Sequence, residues 1–209
     1  MPINVVLADE HPVVYEGISK TCGSDIKITG PIKNVSELVE AIDANPPDVL
    51  VTEIRLNGQD VLKAIEAIRS RNENLKVVIN SAWDNPTYVA RASSIGVIDF
   101  VLKSHPISKL LNAVEMAHLG QAPADDSLIA TTQSKMRRPR QTHDFDVPLT
   151  NREMQVLRHI AMGLSNREIG KSLGISVETV KEHVQNILRK LNVNDRTQAA
   201  VWAVKRGLV

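Results

Sequence analysis

Five side chains in the first 103 residues have the types for phosphate or cation chemistry: Asp9 and Glu10, Glu53, Ser81 and Lys103. Each stands at the end of a short apolar run, and Phe100 precedes Lys103 on the last of these runs. Three carboxylates brought to one place either ligate a hard cation such as magnesium through oxygen, or repel one another unless an ammonium intervenes. Asp9, Glu10 and Glu53 are therefore the candidate magnesium ligands, with Lys103 competing for the same space, and the expectation is against tight binding. No cofactor is required. No trio of histidine, cysteine and acid suggests nucleophilic catalysis. The one cysteine, Cys22, excludes an internal disulfide and a thiolate zinc site. The chain does not read as an enzyme.

The elements that must position these groups are legible in residues 1 to 120. The runs INVVLA, IKITGPI, DVLVT, KVVIN and VIDFVL are nearly all apolar, as strands buried on both faces of a parallel sheet are. Between them, Ser36 to Ala44, Val61 to Arg69, Pro86 to Ile95 and Ile107 to Leu119 carry apolar residues at helical spacing. Pro12, Pro86 and Pro106 sit where a first helical turn tolerates proline. Five strands and five helices in alternation predict a doubly wound, flavodoxin-like α/β domain with a parallel five-stranded sheet. In such a sheet chemistry collects beyond the carboxyl ends of the strands, where all five groups fall.

Residues 121 to 146 lose periodicity and gather Pro, Ser, Thr and mixed charge, which reads as a linker. Its basic run Lys135, Arg137, Arg138 and Arg140 reads first as solvated. Residues 147 to 209 are helical throughout. Thr150 with Glu153 and Ser165 with Glu168 fit capping boxes, Ser176 starts a third helix and Asp195 a fourth, and Gly163 and Gly174 stand where two helices end. Leu157, Ile160, Ile169, Leu173, Val177, Val180, Val184, Ile187, Leu188 and Leu191 are the expected core of this small all-α, four-helix domain. The turn LGIS fits a helix-turn-helix.

Charge separates the two halves. The 209 residues carry a net +1, but residues 1 to 120 hold 11 basic against 15 acidic side chains and residues 147 to 209 hold 10 against 5. An acidic front and a basic tail point to a nucleic-acid partner for the tail. An apolar share of 43% excludes wholesale disorder. No apolar stretch approaches the roughly 18 residues of a membrane span, and no signal segment opens the chain, so a cytoplasmic protein without a membrane partner is expected.

The acidic pair followed by His11 and Pro12, the hydroxyl after the fourth strand, the aromatic on the fifth and the closing lysine resemble the receiver domain of NarL/FixJ-type bacterial response regulators, over residues 3 to 119. The segment from Leu149 to Ala200 resembles their usual LuxR-type DNA-binding tail. The resemblance implies that an acid at the end of the third strand takes a phosphoryl group from a histidine kinase, with magnesium on the acidic pair and with the lysine and hydroxyl sensing the product. The matching position is Glu53 where the family has aspartate; Asn57 and Val61 stand where it usually has proline and glycine. The added methylene pushes the carboxylate roughly 1.5 Å into the pocket, and phosphoryl transfer depends on positioning. Glu53 argues against kinase-driven switching. It either pairs with Lys103 to mimic the phosphorylated arrangement or leaves an inert docking module.

For the tail the resemblance implies a recognition helix over residues 177 to 191, binding double-stranded DNA as a homodimer. With Val180, Val184 and Ile187 inward, Lys181, Glu182 and Gln185 point outward as base readers. Asn166, Arg167, Thr179, Arg189, Lys190 and Arg196 are the candidate phosphate contacts, and the last helix offers Ala199, Ala200, Ala203 and Trp202 as a face for a twin. Two other readings are a conventional phosphorelay through another acid, Asp9 or Asp60, and a protein-interaction adaptor whose tail no longer binds DNA.

Overall fold

A computed structural model describes residues 2–137 and 149–209; Arg138 and Arg140 of the basic run lie outside the described residues. Contacts divide the chain into two units, Met1–Asp84 with Gly96–Ile129, and Asn85–Ile95 with Ala130–Val209.

The first unit runs β1 (Ile3–Ala8), α1 (Pro12–Thr21), β2 (Ile26–Ile32), α2 (Val35–Ala44), β3 (Val49–Thr52), β4 (Arg55–Leu56), β5 (Gln59–Asp60), α3 (Val61–Arg69), β6 (Lys76–Ser81), β7 (Asp99–Leu102) and α5 (Ile107–His118). The five longer strands form one parallel sheet in the order β2-β1-β3-β6-β7, as the apolar runs predict. Val5, Leu7, Val49, Val51, Val78 and Val101 pack with Ile18 of α1 and Leu110 of α5 in one cluster. Val6, Leu50, Val77 and Ile79, on the alternate positions, are equally buried, so neither face of the sheet is wet. The order reverses direction between β1 and β3, and the carboxyl ends of β1, β3, β6 and β7 are drawn together there. Glu53 N–H donates to Ala8 O at 2.9 Å and Lys103 N–H to Ser81 O at 2.7 Å.

Two features of this unit differ from the sequence expectation. Strands β4 and β5 form a two-residue antiparallel hairpin between β3 and α3. Its turn is Asn57-Gly58 with φ of 46° and 76°, the left-handed pair that a two-residue hairpin requires. Proline is locked near −65° and lacks an N–H, so it cannot stand at position 57 in this conformation. Val61, the other departure, opens α3 fully buried. Pro106 occupies the N-cap of α5, just before the first turn.

The second unit contains α4 (Pro86–Ser94), α6 (Leu128–Arg137, from residue 130), α7 (Asn151–Ala161), α8 (Asn166–Leu173), α9 (Val177–Leu191) and α10 (Arg196–Lys205). Helix α6 corrects the aperiodic reading of residues 121 to 146: Met136 is 2% exposed and joins the unit's core. Ala90 of α4 joins the same core, and Arg91 Nε donates to Glu168 at 2.8 Å. All four tail caps form. Thr150 and Ser165 make complete capping boxes with Glu153 and Glu168, Ser176 accepts from Thr179 N–H and Asp195 from Gln198 N–H. Gly174 ends α8 in the left-handed conformation. The core holds Leu157, Ile160, Ile169, Val180, Ile187 and Leu191, with Leu173, Val184 and Leu188 packed against it, but Val177 is 39% exposed. It is the first helical residue of α9, ahead of the turn that meets the core.

His159 lies at the centre of this unit with no exposed surface. Its Nδ1 donates to Gln155 O at 2.7 Å, which leaves Nε2 to accept from the Ser172 hydroxyl at 2.9 Å. Burial, with smaller contributions from Arg152 and Arg158, outweighs the Gln155 bond and holds the imidazole below its ordinary value. The unfolded chain therefore accepts a proton near pH 6.5 that the folded tail refuses, so stability is full above that pH and falls as pH drops below it. The tail's thermal midpoint is expected to decline between pH 7 and 5.5 and the decline to flatten in His159→Gln. A midpoint equally steep in both proteins would exclude His159 as its source.

Candidate functional site

The strand ends place Asp9, Glu53 and Lys103 in direct contact. Lys103 Nζ stands 2.5 Å from Asp9 Oδ2 and 2.7 Å from Glu53 Oε2, so one ammonium bridges two carboxylates. Asp9 is 1% exposed and Glu53 7%. Burial by itself pushes the Lys103 ammonium down, but its hydrogen bonds to Asp9 and Glu53, and their charge, outweigh that and hold it above its ordinary value. Each remaining carboxylate oxygen of the pair is also engaged. Asp9 Oδ1 accepts from the His11 N–H at 2.9 Å and lies 3.1 Å from His11 Nδ1. Glu53 Oε1 accepts from the Ile54 N–H at 2.7 Å, and Oε2 from the Ala82 N–H at 3.4 Å. His11, the N-cap residue of α1, thus turns back onto Asp9.

Glu10 is drawn elsewhere. Its Oε2 accepts from the Asn57 N–H at 3.2 Å, tying it to the turn of the hairpin. This arrangement does not fit a magnesium ion held jointly by the candidate ligands Asp9, Glu10 and Glu53: Lys103 fills the space between two of the acids and the hairpin holds the third. Among the described residues, no group of three histidine, cysteine or acidic side chains is placed to hold a metal ion. Ser81 is fully buried, and its Oγ accepts from the Trp83 N–H at 3.2 Å. Phe100 is 2% exposed in the core of the unit. Asp60 caps α3, accepting from the Leu62 N–H at 2.9 Å.

In the tail, α9 turns Lys181, Glu182 and Gln185 to solvent while Val180 and Ile187 are buried. Lys181 is paired with Glu178 at 2.8 Å, an exposed contact of little worth that leaves the ammonium available. Thr179 bonds Ser176 and Arg189 bonds Asn186, both on the surface. Three of the expected phosphate contacts, Lys190, Arg196 and Asn166, have partners within the tail. Lys190 Nζ lies 2.7 Å from Glu153, which is 4% exposed. Burial pushes the Glu153 carboxyl up, but Lys190 and the Thr150 N–H and hydroxyl outweigh it and hold the acid below its ordinary value. Arg196 donates to Leu164 O at 2.6 Å and to Asn166 Oδ1 at 3.3 Å, so it and Asn166 fasten α10 to the start of α8. Arg167 remains exposed at the first turn of α8. Ala199 and Ala203 are fully buried, which corrects the small-residue face assigned to α10. Its outward apolar residues are Val201 at 47% and Val204 at 54% exposed, and Trp202 carries Arg206 at 5.1 Å from its ring centre. These contacts depend on fold-specific partners that neither spacing nor charge announces.

Known proteins match both units. The response regulator receiver domain matches residues 5–115, and the luxR family of bacterial regulatory proteins matches residues 147–203. The response regulator protein VraR of Staphylococcus saprophyticus is 32% identical over 211 aligned positions covering 100% of both chains. The uncharacterized transcriptional regulatory protein YxjL of Bacillus subtilis is also 32% identical, over 99% of this chain and 97% of its own. Among solved structures, the response regulator ChrA of a heme-sensing two-component system is similar with a TM-score of 0.52 at 30% identity, covering 100% and 99% of the two chains. The RcsB response regulator of Salmonella typhimurium has a TM-score of 0.58 at 22% identity, covering 97% and 99%, a likeness of fold.

Proposed function

Because the chain belongs to the bacterial response regulators, with their receiver domain and a LuxR-family tail, we propose that it is a transcription regulator whose receiver works without phosphorylation. The observation that carries this reading is the Lys103 bridge. The ammonium that would meet an incoming phosphoryl group is already held by Asp9 and Glu53, and the Glu53 carboxylate already accepts from Lys103 and two backbone N–H groups. Phosphoryl transfer needs an acceptor oxygen aligned with the donor and positive charge free for the transferred group. Neither is at hand. The alternative acids fare no better, since Asp9 is buried under Lys103 and Asp60 caps a helix.

The partner in this reading is double-stranded DNA in the cytoplasm, met by Lys181, Glu182 and Gln185 in the major groove, with Arg167, Thr179 and Arg189 on phosphates. A homodimer fits it, with Val201 and Val204 offering an apolar face on α10; RcsB is described as dimers bound to DNA. Among the described residues no helix is long and apolar enough to cross a membrane. The test is acetyl phosphate added to the full-length protein. The expected result is no gain of a phosphoryl mass and a DNA affinity changed by less than about twofold, that is, less than roughly 0.4 kcal/mol. Incorporation of phosphate together with a tenfold rise in affinity would overturn the reading.

A further inference from the structure

The outward stripe of α9 begins one turn earlier than the three residues expected to read bases. Lys181, Glu182 and Gln185 are the later members of an i, i+3, i+4, i+7 series whose first member is Glu178. Glu178 is the second residue of the helix, and the N-terminal residues of a recognition helix are those that reach base edges. Its side chain is 77% exposed and its Oε1 accepts from Lys181 Nζ at 2.8 Å, while Val180 and Ile187 close the opposite face, both fully buried. A lone carboxylate entering the groove is repelled by the flanking phosphates. One that carries an ammonium at 2.8 Å enters as a neutral pair, and the pair presents an acceptor beside a donor.

On the reading that α9 enters the major groove, we propose that Glu178 and Lys181 together recognise one C·G base pair, with Glu178 as a specificity-determining residue. On the major-groove edge of such a pair the cytosine N4 amino group and guanine O6 stand side by side, joined by the base pair's own hydrogen bond of about 2.9 Å. The heads of Glu178 and Lys181 have the matching order and spacing. The amino group donates its free hydrogen to Glu178, and Lys181 donates to O6 and N7. An A·T pair also sets an amino group beside an oxygen, but with the wrong neighbours. Adenine N7 then faces the carboxylate, acceptor against acceptor, and the thymine methyl faces the ammonium. Reversal to G·C exchanges donor and acceptor and opposes both heads. Because the side-chain pair is neutral, it adds to discrimination and not to the salt-dependent attraction of the backbone.

Competition titrations of the full-length protein test this on a selected operator carrying each of the four base pairs in turn at every position. One position is expected to prefer C·G over A·T by about tenfold or more. Glu178→Ala is expected to cut that preference at least about fivefold, and Lys181→Ala to cut it at the same position. Affinity for random duplex should stay level or rise in Glu178→Ala, which sheds a negative charge. A Glu178→Ala protein that shifts all four base pairs equally would overturn the proposal, because the carboxylate would then act only on the positive end of the helix. Losses by the two variants at different positions would overturn it too. Gln185→Ala separates the proposal from its premise. Base preference lost in Lys181→Ala and Gln185→Ala but kept in Glu178→Ala overturns the proposal alone, whereas preference untouched in all three overturns base reading by α9 as well.

Discussion

Replacing Lys103 with methionine is expected to lower the stability of the receiver by about 3 kcal/mol at pH 7. Methionine keeps the length of the stem and removes only the charge. What it leaves is two carboxylates, 1% and 7% exposed, facing each other without a counter-ion. Removing one partner of a buried pair costs about 3 to 5 kcal/mol, and Lys103, itself 19% exposed, belongs at the lower end. The pH dependence has a definite sign. In the natural protein Lys103 is raised, so its contribution is complete below its ordinary value of 10.5 and is lost only as pH climbs through the raised one. Urea unfolding of both proteins at pH 7 measures the deficit. A deficit under about 1 kcal/mol would mean that the bridge is a spectator.

The second large effect is on DNA. Substituting Lys181 and Gln185 together with alanine is expected to weaken binding to a selected operator by about a hundredfold or more, since each base contact contributes about 1 to 3 kcal/mol. The fold should not suffer, because both side chains are exposed and the core residues of α9 are untouched. The variant's affinity for unrelated DNA should fall far less, because phosphate contacts carry that binding. Fluorescence titrations on operator and random duplexes at two salt concentrations distinguish the cases. Equal losses on both duplexes would make Lys181 a phosphate contact and remove α9 from base reading.

The strands, the caps and the inward face of α9 were readable because each obeys a local rule: continuous apolar runs, a hydroxyl three residues before a glutamate, apolar residues at helical spacing. The convergence of Asp9, Glu53 and Lys103 followed from strand ends in a parallel sheet. What spacing could not reveal is which charges cancel. Lys190 and Arg196 look like any other cations of a basic tail, and only the packing of α9 and α10 against α7 brings them to Glu153 and Leu164. Helix α6 hid in a polar, threonine-rich stretch whose burial rests on residues such as Met136 and Ile129. The hairpin was missed for a different reason: two residues per strand are too few to show alternation, although Asn57-Gly58 is the turn signal that could have exposed it.

That hairpin also bears on how the receiver could change over generations. Asn57 takes a backbone shape closed to proline, and the amide it thereby presents holds Glu10. A Glu53→Asp substitution alone would shorten one acid and leave Glu10 still tethered and Lys103 still resting on Asp9. Freeing all three acids takes changes at two sites at least, and the first of them releases only one. The turn works as a ratchet, holding Glu10 aside whatever happens at position 53.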